Sequence, residues 1–200
     1  MREHIRKIPN YLHGKYFQFL ILIGNLNYIS AFWWGISIGK NCKFLGKTNF
    51  RKYPNSIFRI GDNCTFNSIN GATVLYNRSC SIMTNHSKYN ASLVIEDNCG
   101  FSGTVIAAFR SIYIGKNVMC GANTFIFDGD FHLDDPRVGE PQPVVIEDGV
   151  WIGMNSIVLK GVTIGKNSVI GANSVVTKNI PANVIAAGNP CKVIKNINQI

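Results

Sequence analysis

Charge is scarce in this 200-residue chain: Lys, Arg, Asp and Glu together make up only 16% of it. Its basic residues are scattered, and there is no zinc-finger, RNP or basic-zipper pattern, so nucleic acid is excluded as the expected partner. None of the six Cys are paired as CxxC and no secretory signal precedes them, which points to reduced thiols in a cytoplasmic protein. A dinucleotide glycine fingerprint, a Walker loop and a metal-ligand cluster are all missing, and the four His are too widely spread for a three-His metal site. No run of some 20 apolar residues stands uninterrupted: Gln18, Gly24, Asn25, Asn27 and Ser30 break the apolar stretch 16–38. Residues that favour long helices are few, whereas Asn and Gly, which favour turns, abound.

What the chain has instead is a repeat. One phrase recurs at Ile38 (IGKNC), Ile60 (IGDNC), Ile95 (IEDNC), Ile114 (IGKNV), Ile146 (IEDGV) and Ile164 (IGKNS). Most of the spacings equal 18 residues plus an insertion, and the 35 residues from Ile60 to Ile95 read as two turns of 17 and 18. Within 18 the pattern divides by three. Ile146, Ile152, Val158, Ile164, Ile170 and Val176 fall every sixth position, each preceded two residues earlier by a small or β-branched residue from Val144 to Ser174. Six is neither the 3.6 of a helix nor the 2 of a strand. It suits a short strand followed by a tight turn, three such units making one triangular coil, with coils stacked over a continuous aliphatic column. Cys42, Cys64 and Cys99 occupy the small inward position of that register and are expected to be buried packing residues. The expected fold is all-β, a parallel β-helix over 36–187, preceded by a helical arm (1–35) and followed by a helical tail (188–200).

The C-terminal half carries VWIGM from Val150, KGVTIGK from Lys160 and NSVIGANSVVTKNIPANVIAAGNP from Asn167 to Pro190. These phrases resemble the bacterial hexapeptide-repeat acyltransferases, in the branch of galactoside, maltose and polysaccharide O-acetyltransferases. The resemblance implies a left-handed coil, against the usual crossover rule, and a homotrimer with sites in clefts between prisms. It also implies transfer of acetyl from acetyl-CoA, with no metal, to a small-molecule or glycan hydroxyl.

The repeat breaks once near this region, in the polar, Pro- and Gly-containing segment 128–143, which must leave the prism as a loop. It holds His132, with Asp128, Asp130, Asp134 and Asp135 around it. An imidazole can take a hydroxyl proton as attack begins and return it to the departing thiolate, provided a carboxylate or carbonyl orients it. In the resembled family the catalytic His stands in this loop after an acid-aromatic pair, which Asp130 and Phe131 match. His86 is the alternative candidate. Where the family has an acceptor-binding Asn, this chain reads Phe101-Ser102-Gly103, so Ser102 or a backbone N–H is expected to serve there, with Asp130 as the other acceptor contact.

For the cofactor, the resemblance implies Met154 and Ala172 along the pantetheine arm, Thr177 and Lys178 further on, and Trp151 packed beside it. Lys192 and Lys195, three apart, would share one face of a helical turn and hold the phosphates. The N-terminal arm reads two ways: a cap over the open end of the prism, or a basic and aromatic contact with the inner face of a membrane. Acetylation of an antibiotic hydroxyl, or a scaffold without catalysis, are the rival readings of the whole chain.

Overall fold

The computed structural model describes residues 14–15, 18–69, 78–85, 89–132 and 134–197. Its strands form three faces of a left-handed prism. The first face stacks β1 (Ser37–Ile38), β4 (Ile57–Ile60), β7 (Ser92–Ile95), β10 (Ser111–Ile114), β13 (Val144–Ile146) and β16 (Thr163–Ile164). The second stacks β2 (Lys43–Leu45), β5 (Thr65–Asn67), β8 (Gly100–Ser102), β11 (Met119–Cys120), β14 (Trp151–Ile152), β17 (Val169–Ile170), β19 (Val184–Ala187) and β20 (Lys192–Asn196). The third runs through β3 (Asn49–Arg51), β6 (Ser81–Thr84), β9 (Val105–Ala108), β12 (Phe125–Phe127), β15 (Ile157–Val158) and β18 (Val175–Val176). Every pairing is parallel except β19 with β20.

The hexad explains this shape residue by residue. Strands of two to four residues place one aliphatic inward, as Ile152, Val158, Ile164 and Ile170, all fully buried. The turn that follows needs a left-handed backbone, and Asn supplies it at Asn41, Asn63, Asn117, Asn123, Asn155, Asn167 and Asn173 with φ between 56° and 58°. Asn side chains then bond from coil to coil, as Asn123 Nδ2 to Asn155 Oδ1 at 3.2 Å. Gly precedes many of these turns because the next coil passes so close. A Cβ on Gly153 would lie 2.5 Å from the Ala172 nitrogen and 2.8 Å from the Gly171 carbonyl carbon. Gly153→Ala should therefore cost about 2 kcal/mol by forcing the coils apart, read as a lower midpoint in thermal or urea unfolding. A loss below about 0.5 kcal/mol would mean that the stack yields freely there.

Cys42, Cys64 and Cys99 are buried as the register expects, and each thiol donates to a carbonyl of the coil above, those of Gly61, Glu96 and Gly115 respectively. Burial pushes the Cys80 and Cys120 thiols up, which keeps them protonated and unreactive. Beside the Cys column, Phe44, Phe66 and Phe101 stack with ring centroids 5.0 and 5.2 Å apart.

Two expectations are corrected. Ile60 pairs directly with Ile95, so the 35 residues between them make one coil with 17 surplus residues and not two coils. In the sequence the surplus falls between β5 and β6 and between β6 and β7. The tail, expected as a helix, is the strand β20. After Gly188 the chain reverses and pairs antiparallel with β19, covering the edge that the last coil would otherwise leave open, and its Val193 and Ile194 favour a strand.

At the other end a helical stretch, residues 18–24, leads into α1 (Leu26–Trp33). The helix lies over the first coil. Asn27 donates to Gly24 and Gly46 carbonyls and accepts from the Thr48 N–H, and Tyr28 donates to the Cys42 carbonyl. Capping is thus what one side of this arm does.

Candidate active site

Between the strands of the third and first faces the sequence carries insertions in successive coils, after β6, after β9 (Phe109 and Arg110) and after β12, where Asp128 begins the longest. The last is fastened at both ends. Asp128 is fully buried, and its carboxylate accepts the N–H groups of Phe109 (2.6 Å), Arg110 (2.8 Å) and Ser111 (2.5 Å). Burial pushes this carboxyl up and the three donors act in the opposite direction. All three partners are donors, which is what an ionised carboxylate requires. At the far end the Gln142 N–H donates to the Asp128 carbonyl and the Gly161 N–H to the Gln142 carbonyl.

Between these anchors the loop is held to the same corner. Lys160 bonds both Asp130 and the Gly139 carbonyl. The Tyr89 hydroxyl donates to Glu140 at 3.0 Å, and the Arg110 guanidinium lies over the Tyr89 ring. Phe131 packs edge-on against Phe109 and Phe127, 5.2 and 5.8 Å between centroids. His132 follows directly, its side chain exposed and its carbonyl accepting the Asp135 N–H at 3.1 Å. Three of the four acids around it are engaged: Asp128 by the N–H groups named above, Asp135 by Arg137 and Asp130 by Lys160. Asp130, expected as an acceptor contact, is paired with Lys160 and keeps about half of its side chain (49%) exposed beside His132. His4, His13 and His86 lie outside the described residues.

The second face carries the other expected residues. Trp151 is 59% exposed and its register neighbour Met119 52%, so Trp151 is an outward ring and does not pack between coils. Val169 and Ile185 continue that outward column. Ser102 stands on the same face two coils from Trp151, with Asn67 opposite it in the neighbouring strand. The Asn67 Oδ1 is buried and has no hydrogen-bond partner. At the edge of this face Met154 and Ala172 occupy equivalent turns, linked when the Asn173 N–H donates to the Met154 carbonyl. Thr177 and Lys178, both exposed, follow β18 at the third-to-first corner.

Lys192 and Lys195 do reach one side together, by a different route from the helical turn expected. The pairing with β19 shifts register between Ile185 and Ala186, so Lys192 lies opposite Ala187 and Lys195 opposite Ile185. Those two partners are alternate positions on one side of β19. An irregular residue in a strand has done what a helix would have done.

Sequence reasoning named Asp128 only as one acid among four, and missed Arg110, Lys160 and Asn67. The 19-residue spacing from Ile95 to Ile114 was the available signal, since the corner lengthened there is the turn that donates its N–H groups to the Asp128 carboxylate.

Residues 143–178 match the family model described as bacterial transferase hexapeptide (six repeats). The galactoside O-acetyltransferase of Escherichia coli K12 is 42% identical over 117 residues, which are 56% of this chain and 57% of that protein. That of Lactococcus lactis is 49% identical over 93 residues, 44% of each. The chain thus spans about half the length of the curated relatives it matches. Among solved structures, AntD, an N-acyltransferase from Bacillus cereus in complex with dTDP and 3-hydroxybutyryl-CoA, has a TM-score of 0.60 at 21% identity, over 80% of this chain and 82% of that one. This last likeness is one of fold. Residues 143–178 thus carry the hexapeptide repeat that the bacterial transferase model describes, and the same parallel coils continue on either side of it.

Proposed function

We propose that the protein is an acetyl-CoA-dependent O-acetyltransferase, acting as a homotrimer on a sugar or polysaccharide hydroxyl, in the cytoplasm at the inner face of the membrane. One observation carries this reading. The His132 loop is tied to the corner between the third and first faces, whereas Trp151, Met119, Ser102 and the two tail lysines belong to the second face, across the prism from that corner. A triangular prism cannot bring a corner and its opposite face together. A neighbouring prism can, with its own second face turned toward the loop, and three such contacts close about a threefold axis.

In that cleft the Trp151 and Met119 column would lie along the pantetheine arm, with Met154 and Ala172 at its edge. Lys192 and Lys195 would meet the phosphates as mobile point charges; Thr177 and Lys178 lie on the corner beyond the loop. His132 takes the proton of the acceptor hydroxyl as its oxygen attacks the thioester carbonyl. The C–O bond forms, the C–S bond breaks, and the same proton passes to the departing thiolate. Ser102, with the Asn67 amide beside it, supplies hydrogen bonds for the acceptor and the developing oxyanion. The relatives named galactoside O-acetyltransferases support a carbohydrate hydroxyl as the acceptor class.

Subunit mixing tests this arrangement. His132→Ala and Trp151→Glu should each inactivate when present in every subunit. Mixed trimers should regain activity, because a site between a Trp151→Glu subunit and a His132→Ala subunit has both a His and a Trp. If mixing restores nothing, base and cofactor surface belong to one chain and the shared-site reading fails.

A further inference from the structure

The helix capping the prism is apolar on both sides. Gly24, Asn27, Tyr28 and Ala31 face the first coil, where Asn27 and Ala31 are buried. The other side presents Leu22, Leu26, Ile29, Phe32 and Trp33, between 55% and 82% exposed. Their spacing of three and four residues makes one continuous stripe. An end cap of a solenoid ordinarily turns a polar outer face to water, and this one does not.

Charge is distributed with the same bias. Residues 1–60 hold ten Lys and Arg against the single Glu3, while residues 61–200 hold ten against ten. The whole formal charge of +9 therefore belongs to the chain's first 60 residues. Lys40, Lys43, Lys47 and Arg51 are exposed in the first coil, directly beneath the helix.

We infer that this end of the prism docks on an anionic phospholipid bilayer, with the outer stripe of α1 in the acyl boundary and the basic residues of the first coil against the headgroups. The combination selects the occupant. A second copy placed end to end would bring two strongly basic surfaces together and is repelled. An anionic surface attracts each nearby basic residue by roughly a fivefold gain in binding, while Phe, Leu and Trp supply the inserted face of an interfacial helix. In the homotrimer proposed above, three parallel prisms would present three such helices in one plane, and the transferase sites would stand at a fixed height over the membrane. The docking itself does not depend on the acetyl-transfer reading.

Co-sedimentation of the full chain with vesicles tests it. Binding to phosphatidylcholine vesicles containing phosphatidylglycerol should exceed binding to pure phosphatidylcholine by at least about tenfold and fall in high salt. The double variant Phe32→Ser/Trp33→Ser and the charge variant Lys43→Glu/Lys47→Glu should each lower it by about tenfold or more. Both should retain the wild-type turnover of a soluble acceptor, which separates docking from folding and from catalysis. Equal binding to the two vesicle types, no binding to either, or a stripe-dependent higher oligomer in lipid-free buffer would each overturn the inference.

Discussion

His132→Ala should lower kcat by about 10²- to 10⁴-fold, the usual worth of a positioned general base, or roughly 3 to 5 kcal/mol of the barrier. The imidazole is exposed and, among the described residues, His132 is engaged only through its backbone carbonyl, so its removal should leave the fold intact. The unfolding midpoint should stay within about 0.5 kcal/mol of wild type. Affinity for acetyl-CoA, followed by calorimetry, should hardly change, since the proposed cofactor surface is elsewhere. The loss should thus sit in kcat and not in KM, as for a group that acts only as the reaction proceeds. Near-normal turnover on any responsive acceptor would remove His132 from the mechanism. It would leave the prism and the cofactor surface as they are described.

How far this could be read from the amino acids depends on which residues obey the repeat. Where every sixth residue is aliphatic, from Ile146 to Val176, register and burial follow directly, because a small inward column admits few residue types. Between Ile60 and Ile95 the same logic misled. An insertion of 17 residues has nearly the length of a coil, and spacing alone does not distinguish an extra coil from a long loop. The pairing Ile60 with Ile95 does. The tail misled for another reason. Lys192 to Lys195 has helical spacing, but the free edge of β19 and the β-branched pair between those lysines decide for a strand, and a tertiary edge is invisible in a local window.

The site was legible in its pieces and not in its arrangement. His132 stood out because the repeat stopped around it, and Trp151 because the family resemblance of its WIG phrase places that ring beside the cofactor arm. That they occupy opposite sides of one prism needs the face to which each strand belongs. The homotrimer proposed above, which the family resemblance implied, is argued from that separation.

Asp128→Ala should be the most damaging single change outside the aliphatic column. It removes one buried carboxylate and leaves three N–H groups, those of Phe109, Arg110 and Ser111, without their acceptor. Each orphaned donor costs about 1 to 3 kcal/mol, less where water can enter, so a total near 3 to 5 kcal/mol is expected in urea unfolding. Asp128→Asn should cost about half as much. Its single oxygen can still serve the Arg110 and Ser111 pair, while its amide N–H₂ is set against the Phe109 N–H. Activity should fall in the same order, because His132 stands only four residues along from this anchor and keeps its place through it. Cofactor affinity should be spared in the Asn variant if the second face of the neighbouring subunit holds the pantetheine arm. Should Asp128→Ala unfold near the wild-type midpoint and turn over normally, the loop is held by its other contacts, those of Lys160, Tyr89, Phe131 and Gln142, and the carboxylate only fills space beneath it.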